Sequence, residues 1–277
     1  MPDSPRLAAK TLRCLTLNLW GAEPPLEQRM ALVAEGLGGL APDVVTLQEV
    51  REVPGKLPNQ AERLAKAAGF EHVFAPATPF GGWQEGLAIL SRQPIVEHAA
   101  MELPHAEPKE RRILLSARVH NGQGSVWVHT THLNYRLPHG RQREDQVLAI
   151  AASVADRTSN SPQILLGDFN ARPEADEIRF LRGLVTLGNR RTYFQDAWER
   201  MNPGDPGLTW ARRNPYTAKL AFLEPDRRLD YIFVTPMRGD GRGTVRSCAM
   251  VFDKPGADSV YASDHFGLLA EIQVEPT

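Results

Sequence analysis

Short runs of apolar residues that stop abruptly at polar residues recur along the chain. The run at residues 164–166 is too short for a helix, which predicts a buried strand that presents Asp168 and Asn170 at its end. Residues 43–49 repeat this arrangement and end in Glu49. The alternative at each position is an ordinary turn, because Gly, Asp and Asn are common turn formers. The repetition favours a set of strands whose ends carry polar side chains.

Apolar residues at intervals of three and four predict helices between these strands. Residues 26–40 place Met30, Val33 and Leu37 on one face, and Pro42 follows as a stop. Further helices are predicted at residues 60–68, 140–157 and 174–184. Strands are predicted at residues 11–19, 71–75, 95–103, 111–119, 228–234, 245–252 and 268–274, and a further strand begins at Leu87. A hairpin over residues 111–131 ends in His132, and residues 187–224 are predicted to form a long irregular loop.

The length and composition of the chain favour a single α/β domain. All-β and α/β proteins of 277 residues commonly form one unit, and 42% hydrophobic residues are enough for a sizeable core. Residues 1–10 lack the apolar segment of a signal peptide and are expected to be a short disordered tail. This leaves residues 11–277 as one domain. The longest apolar stretches fall far short of a membrane span.

Charge and cysteine content narrow the class of protein further. Lys plus Arg number 32 and Asp plus Glu number 33, so there is no overall basic field and any grip on phosphate must be local. Cys14 and Cys248 make at most one bridge, which excludes a disulfide-rich secreted domain and leads us to expect a protein of the reducing cytoplasm. A monomer is the default expectation for its oligomeric state. No Cys/His spacing of the zinc type occurs, so a metal ion would need oxygen ligands.

Polar residues at the predicted strand ends suggest a metal-dependent site. Buried carboxylates repel one another unless a cation or proton offsets them. Oxygen ligands with few histidines select Mg²⁺ or Mn²⁺, ions that polarise phosphoryl oxygens and activate water. His129 and His132 fall on opposite faces of one strand, and we expect His129 in the core and His132 in the site. The candidates are Asn18, Glu49, His132, Asp168, Asn170, Asp264 and His265 at strand ends or in adjoining loops, and Glu85 and Asp230 at strand beginnings.

Seven short motifs, taken in order, resemble those of one known family. They are T-L-N-L-W-G, V-V-T-L-Q-E-V, E-G-L-A-I-L-S-R, T-H-L, G-D-F-N, R-L-D-Y-I-F-V and S-D-H-F-G, and they extend over nearly the whole chain. Together they are similar to the motif set of the endonuclease/exonuclease/phosphatase superfamily. The resemblance implies a four-layer α-β-β-α sandwich of two packed mixed sheets flanked by helices, with a divalent-metal site at one edge.

The resemblance also implies roles for the carboxylate and amide residues. Glu49 would be the principal ligand of Mg²⁺ or Mn²⁺, with Asn18 and Asp264 near the ion. Asp168 would position or deprotonate the attacking water, and Asn170 would hold the phosphate.

The two candidate histidines would each work with an acid. His265, oriented by Asp230, would stabilise the phosphate, and His132 with Glu85 resembles the second acid–imidazole pair of the deoxyribonuclease and sphingomyelinase branches. Such pairs transfer protons or stabilise a charged transition state.

The function implied is a divalent-metal-dependent phosphodiesterase that hydrolyses a phosphoester by metal-assisted water attack, with nucleic acid or a nucleotide favoured as substrate. The alternative is a phosphoesterase for a phospholipid or sphingomyelin headgroup or an inositol phosphate. A non-catalytic binding module is disfavoured, because every expected catalytic position is filled.

Residues 206–223 are the candidate region for substrate selection. They contain no acid and interleave basic with aromatic residues, which suits a substrate that offers both phosphates and stacking faces. The alternative is a solvated loop that its aromatic residues anchor to the core. The candidate substrate-binding residues are Trp210, Arg212 and Arg213 in this loop, and Arg111 and Arg112 outside it.

Overall fold

Two parts of the sequence predictions cannot be compared with the structure. The predicted N-terminal tail lies outside the described residues, as do residues 219–223 at the end of the predicted substrate loop. Where the chain is described, it contains no helix long and apolar enough to cross a membrane. The structure is a computed structural model that describes residues 11–55, 59–106, 110–122, 124–157, 159–218 and 224–276.

The strands of the described chain form two six-stranded sheets, and each sheet contains both parallel and antiparallel pairs. Their bounds are β1 (Thr11–Asn18), β2 (Val44–Glu52), β3 (Glu71–Phe80), β4 (Trp83–Ser91), β5 (Ile95–Glu102), β6 (Ile113–His120), β7 (Ser125–His132), β8 (Ile164–Asp168), β9 (Gln195–Asp196), β10 (Asp230–Val234), β11 (Val245–Val251) and β12 (Gly267–Gln273).

The strand order brings the central strands of both sheets to the same edge of the protein. The first sheet has the order β11-β12-β1-β2-β4-β3, and the second has the order β5-β6-β7-β8-β10-β9. In the first sheet β1 is parallel to β2, and in the second β7 is parallel to β8. The carboxyl ends of parallel neighbours lie at one sheet edge, so the residues that end these strands are close together.

Helices cover the outer face of each sheet. Their bounds are α1 (Leu26–Leu40), α2 (Gln60–Ala68), α3 (Gly140–Ala155), α4 (Asp176–Leu181), α5 (Ala197–Met201) and α6 (Pro215–Ala218).

Alternation along the strands separates three apolar layers. Cys14 on β1 belongs to the cluster between the two sheets, whereas the next residue, Leu15, packs with α1 and α2 on the outer side. On the second sheet, Leu165 packs outward against Val147 of α3 and Ile178 of α4. The order helix, sheet, sheet, helix confirms the predicted four-layer α-β-β-α sandwich.

Three strands differ from the sequence prediction near the site. β3 runs on to Phe80 instead of ending at residue 75, and its prolines are tolerated because β3 is an edge strand. β2 does not end at Glu49 but continues to Glu52 through a bulge between Leu47 and Val50. β4 begins at Trp83, so Glu85 lies inside the strand and not before it.

The region predicted as one long irregular loop, residues 187–224, contains regular structure. Gln195–Asp196 pairs with β10 as the short strand β9, and α5 follows directly. The Asp196 side chain caps α5 by accepting hydrogen bonds from the backbone N–H groups of Trp198 and Glu199. Elements this short carry too weak a periodic signal to be found in the sequence.

Candidate active site

The register of three strands places Asp168, His132 and Asp230 side by side. Asp168 ends β8, where it is paired with His132 at the end of β7 and with Asp230 at the start of β10. Gly167 permits this arrangement, because a Cβ there would lie 2.1 Å from the Thr131 carbonyl oxygen and its φ is +138°. A side chain at position 167 would therefore separate β8 from β7.

Asn18 joins this group to Glu49 across the two sheets. Its Nδ2 donates to Asp168 Oδ2 at 3.0 Å and to Glu49 Oε1 at 3.1 Å. Its Oδ1 accepts a hydrogen bond from the backbone N–H of Trp20, which fixes the orientation of the amide. Glu49 occupies the β2 bulge with φ of 54°, a left-handed conformation that is rare for a non-glycine residue and clusters at functional sites. One amide thus holds two carboxylates that would otherwise repel each other.

Asn170 is the second non-glycine residue of the site with a positive φ, at 49°. Its backbone N–H donates to Asp168 Oδ1 at 2.8 Å, and its Nδ2 donates to the Leu133 carbonyl oxygen at 3.1 Å. Both oxygens of the Asp168 carboxylate are therefore oriented by hydrogen bonds.

His265 and Asp230 form the predicted acid–imidazole pair. His265 Nδ1 lies 2.8 Å from Asp230 Oδ2, and both side chains are buried. Burial opposes a charge on the ring, but Asp230, Asp168 and Asp264 outweigh it and raise the pKa of His265 well above its ordinary value. The ring is therefore a cation at neutral pH, and its Nε2 lies 3.7 Å from Asp168 Oδ2.

His132 has the opposite electrostatic character. Burial, with Arg112 and His265 nearby, holds the pKa of His132 well below its ordinary value, so the ring is neutral. Its Nε2 lies 3.5 Å from Asp168 Oδ2. The site thus faces Asp168 with one charged and one neutral imidazole.

The predicted partner of His132 is placed elsewhere. Glu85 Oε2 lies 3.3 Å from Arg51 Nε, and the Arg51 guanidinium lies 3.6 Å from the centre of the Trp83 ring. Glu85 and His132 both line the cavity of the site, but no hydrogen bond joins them among the described residues.

The carboxylates of the site are destabilised by burial and by one another. Burial and the neighbouring Glu85 raise the pKa of Glu49 to about 7. Burial likewise raises the pKa of Asp168 and that of Asp264 to about 6 in each case. A divalent cation would relieve this repulsion, and a set of carboxylate and amide oxygens fits Mg²⁺ or Mn²⁺. Asn18, Glu49 and Asp264 could hold such an ion: Glu49 and Asp264 are partly buried and line the cavity, and the Asn18 amide lies against Glu49.

A second geometric candidate for a metal ion uses Asp168, Asp230 and His265, whose ligand atoms lie within 4.8 Å of one another. His265 Nδ1 lies 2.8 Å from Asp230 Oδ2, so this ring nitrogen is already engaged by a carboxylate of the same group. We assign these residues to a hydrogen-bonded charge network.

A cavity of about 550 Å³ opens over the site. This is within the range of about 300–1,000 Å³ that is typical of small-ligand pockets. Asp230 is fully buried beneath it and reaches the cavity only through His265. The predicted residues that line it are Glu49, Glu85, Arg112, His132, Asp168, Asn170, Trp210, Asp264 and His265.

The predicted substrate-binding residues separate into two groups. Trp210 is buried in the cavity wall beneath the Arg227 guanidinium, and Arg112 lines the same cavity. The other three arginines form ion pairs elsewhere: Arg212 with Asp226, Arg213 with Asp253, and Arg111 with Glu102 at 3.8 Å. In the described structure, none of these three arginines lines the cavity of about 550 Å³.

The rim also contains residues outside the predicted set of substrate-binding residues. Glu110 bridges Arg112 and Arg136, with distances of 3.2 Å and 3.4 Å, and Tyr135 is exposed between the two guanidinium groups. Tyr135 and Arg136 follow His132 by three and four positions, and this proximity to a predicted site residue was the sequence signal for them. Glu110 had no such signal in the sequence.

Thr209, which the sequence analysis did not select as a candidate, has a structural role in the site. Its Oγ1 accepts hydrogen bonds from the backbone N–H groups of Leu229 and Asp230, and its carbonyl oxygen accepts one from Phe266 N–H. Thr209 therefore ties together the two segments that carry Asp230 and His265.

Similar sequences are known in animals. Tyrosyl-DNA phosphodiesterase 2 of Rattus norvegicus is 25% identical over 275 residues, which cover 96% of this chain and 68% of that protein. Nocturnin of Drosophila melanogaster is 24% identical over 285 residues, which cover 90% of this chain and 42% of that protein. The chain thus spans about two thirds of the first relative and less than half of the second.

Solved structures share the fold. A crystal structure of D. rerio TDP2 complexed with single strand DNA product superposes with a TM-score of 0.74 and 22% identity, over 94% of this chain and 98% of that chain. The endonuclease/exonuclease/phosphatase of Beutenbergia cavernae gives a TM-score of 0.68 and 24% identity, over 95% of this chain and 72% of that chain.

The family itself is established by a match along most of the chain. The sequence model of the Endonuclease/Exonuclease/phosphatase family matches residues 15–265, which include the first and last of the predicted site residues. The chain therefore belongs to the endonuclease/exonuclease/phosphatase family, as the order of its motifs predicted.

Proposed function

We propose that this protein is a divalent-metal-dependent phosphodiesterase that hydrolyses a nucleic acid or nucleotide. The observation that carries the proposal is that three carboxylates with raised pKa values and two imidazoles of different charge line one cavity. An ion held by Asn18, Glu49 and Asp264 would polarise the phosphoryl oxygen and offset its charge. Mg²⁺ and Mn²⁺ are the ions that suit these oxygen ligands.

Asp168 is placed to orient and deprotonate the attacking water. Its carboxylate is fixed by Asn18 Nδ2 and by Asn170 N–H, so the water-binding lone pairs have a defined direction. A pKa of about 6 is close to the pH at which a general base is both ionised and basic enough to accept a proton.

His265 is placed to stabilise the phosphoryl group. Its Nδ1–H is engaged by Asp230, which leaves the Nε2–H of the charged ring to donate to a phosphate oxygen. The neutral His132 on the other side of Asp168 offers a proton acceptor or a hydrogen bond to the leaving group.

Two observations support nucleic acid as the substrate class. Arg112 and Arg136 provide local positive charge at the cavity rim in a protein of formal charge −1. The relative named tyrosyl-DNA phosphodiesterase 2 is, by its name, an enzyme of DNA phosphodiesters. We also propose a monomer located in a reducing cytoplasm; the buried free thiols of Cys14 and Cys248 support the reducing compartment.

A substrate panel tests this proposal. Purified protein is assayed on single-stranded DNA, duplex DNA, RNA, a chromogenic phosphodiester, sphingomyelin and inositol phosphates, each with Mg²⁺, with Mn²⁺ and with a chelator. We expect hydrolysis of a nucleic acid or of the simple diester that the chelator abolishes and that Asp168→Asn lacks. Activity that survives exhaustive chelation would overturn the metal dependence, and activity on lipid or inositol phosphate alone would replace the substrate class.

A further inference from the structure

Arg29 on α1 is a fully buried cation whose partners are backbone carbonyl groups. Its side chain is 2% exposed, and among the described residues no ion pair joins it to a carboxylate. The guanidinium donates hydrogen bonds to the carbonyl oxygens of Leu19 at 2.6 Å, Glu23 at 2.8 Å, Gly21 at 3.1 Å, Ala262 at 3.2 Å and Trp20 at 3.4 Å.

These carbonyl groups belong to two segments that are far apart in the chain. Residues 19–23 follow Asn18 directly, and Ala262 precedes Asp264 by two positions. One guanidinium therefore holds the loop after Asn18 and the loop before Asp264 at a fixed separation. The contact between Arg29 and Ala262 spans 233 residues and extends the link between the two segments beyond the pairing of β1 with β12, which ends at Thr16 and Leu268.

The energetics of Arg29 are unfavourable for a purely stabilising residue. Burying a cation that forms no ion pair carries a large desolvation cost, comparable to that of a broken buried ion pair. Five carbonyl acceptors and the Trp20 ring, whose centre is 5.0 Å from the guanidinium, offset part of that cost. An apolar side chain of similar size would avoid the cost, but it could not fix five carbonyl groups.

We propose that Arg29 is a positioning residue for the divalent-metal site, which sets the distance between the Asn18 loop and the Asp264 loop and so the size of the oxygen cage. This inference rests on the proposed function, because it concerns the ion that the proposed chemistry requires. Arg29 touches neither the ion nor the substrate in this assignment and acts through the two loops.

The geometry of the guanidinium makes lysine an informative replacement. A guanidinium has five N–H donors in a rigid planar fork, whereas an ammonium group has three donors at the end of a flexible chain. Arg29→Lys keeps the positive charge near Glu49 and Asp264. It puts one nitrogen in place of the three that contact the carbonyl groups, so it cannot keep all five contacts across the two loops. A change in metal affinity would then report the lost geometry and not a lost charge.

The matched control is Arg92. Its guanidinium also donates to two backbone carbonyl groups, those of Pro42 and Ala68, and lies 4.5 Å from the centre of the Phe70 ring. It follows β4 at the end of the first sheet opposite to Glu49, where Ser91 pairs with Val44. Arg92→Lys thus removes the same type of contact far from the metal site.

The first experiment measures Mn²⁺ binding by titration calorimetry and by the electron paramagnetic resonance of free Mn²⁺, with folding checked by circular dichroism. We expect Arg29→Lys to weaken Mn²⁺ binding by about 10-fold to 100-fold, the scale for residues that orient metal ligands, and Arg92→Lys to leave it unchanged. If the wild type and a folded Arg29→Lys protein bind Mn²⁺ with equal affinity, the role of Arg29 is overturned and the proposed function stands. A wild-type protein that binds no Mn²⁺ overturns the proposed function as well.

The second experiment uses the wild-type protein and does not depend on folding of the variant. If one guanidinium couples the two loops, the backbone N–H groups of residues 19–23 and 260–264 should exchange hydrogen with one common opening free energy, and Mn²⁺ should slow both by the same factor. Different opening free energies, or protection of only one segment, would show that the loops move independently and would overturn the assignment.

Discussion

His265 and Asp230 are joined by a buried hydrogen bond of 2.8 Å between Nδ1 and Oδ2, and the other nitrogen of the same ring faces Asp168. Asp230 Oδ1 is buried without a hydrogen-bond partner in the described structure, so the carboxylate has little other than the imidazole to balance its charge. The pair therefore fixes both the orientation and the protonation state of the ring.

Replacing Asp230 should change the pH dependence of the reaction. The carboxylates hold the pKa of His265 above its ordinary value, so the ring is charged below that pKa and loses its proton only above it. In Asp230→Asn the pKa of His265 should fall, and the alkaline limb of the kcat/KM profile should move to lower pH. We expect kcat to fall by about 10²-fold to 10⁴-fold. Asp226→Asn, in an ion pair with Arg212, is the control, and an unmoved alkaline limb in Asp230→Asn would contradict the role of the pair.

Metal affinity should distinguish the two candidate ion sites. If Asn18, Glu49 and Asp264 hold the ion, Glu49→Gln removes a charged ligand and should abolish measurable Mn²⁺ binding, whereas His265→Ala should keep it and lower kcat by about 10²-fold or more. Both quantities are obtained from calorimetry and steady-state kinetics on the same preparations. The reverse result, with binding lost in His265→Ala and kept in Glu49→Gln, would move the ion to the group of Asp168, Asp230 and His265.

Glu85 and His132 provide a test of pairing. The family resemblance implies that they work together, whereas the structure places Glu85 against Arg51 and His132 against Asp168. We expect the losses of kcat/KM in Glu85→Ala and His132→Ala to add within about 0.5 kcal/mol in the double variant.

The same double-variant comparison for Asp230 and His265 is the internal control. These two residues form a hydrogen-bonded pair, and the losses of activity in residues that act as a unit are strongly non-additive. A double variant of Glu85 and His132 that loses no more than the worse single variant would restore the paired role implied by the family.

The salt dependence of substrate binding should identify the arginine that contacts phosphate. Arg112 lines the cavity, and its Nε is buried without a partner in the described structure, whereas Arg212 is ion-paired with Asp226 outside the cavity. Arg112→Gln should weaken binding of a labelled oligonucleotide and lower the slope of log affinity against log salt by about 1. Arg212→Gln should leave both unchanged, and the opposite pattern in fluorescence anisotropy would return substrate selection to the loop of residues 206–223.

His129 should make the folded state sensitive to acid. Its ring is fully buried between Ser116 Oγ and Gln163 Oε1, as expected for a core residue, and burial lowers the pKa of His129 to about 3. In the unfolded chain the His129 ring takes up a proton near pH 6.5, whereas in the folded chain it does so only near pH 3. The free energy of unfolding should therefore fall by about 1.4 kcal/mol for each pH unit as the pH is lowered from about 6.5 to about 3. Urea unfolding across this range should show a smaller slope for His129→Gln than for the wild type or for His98→Gln, an exposed control. Equal slopes would contradict the neutral buried ring.

The sequence by itself determined the elements and the chemistry at their ends. The helices Leu26–Leu40 and Gln60–Ala68 have the predicted bounds, because apolar spacing and stop signals act over a few neighbouring residues. Asp168 and Asp230 were likewise placed at strand termini, since a polar residue at the end of an apolar run is visible in the chain itself. The family motifs then predicted that these ends meet.

Only the tertiary structure decided which of those side chains are partners. Glu85 pairs with Arg51, and Asn18 bridges Glu49 to Asp168 over 150 residues, because strand register and sheet packing set these distances. The periodicity of a single strand carries no information about register with a strand far away in the chain. For the same reason the sequence selected Arg212 and Arg213 together with Arg112, whereas folding placed Arg112 at the cavity beside Tyr135 and Arg136 and left Arg212 and Arg213 outside it.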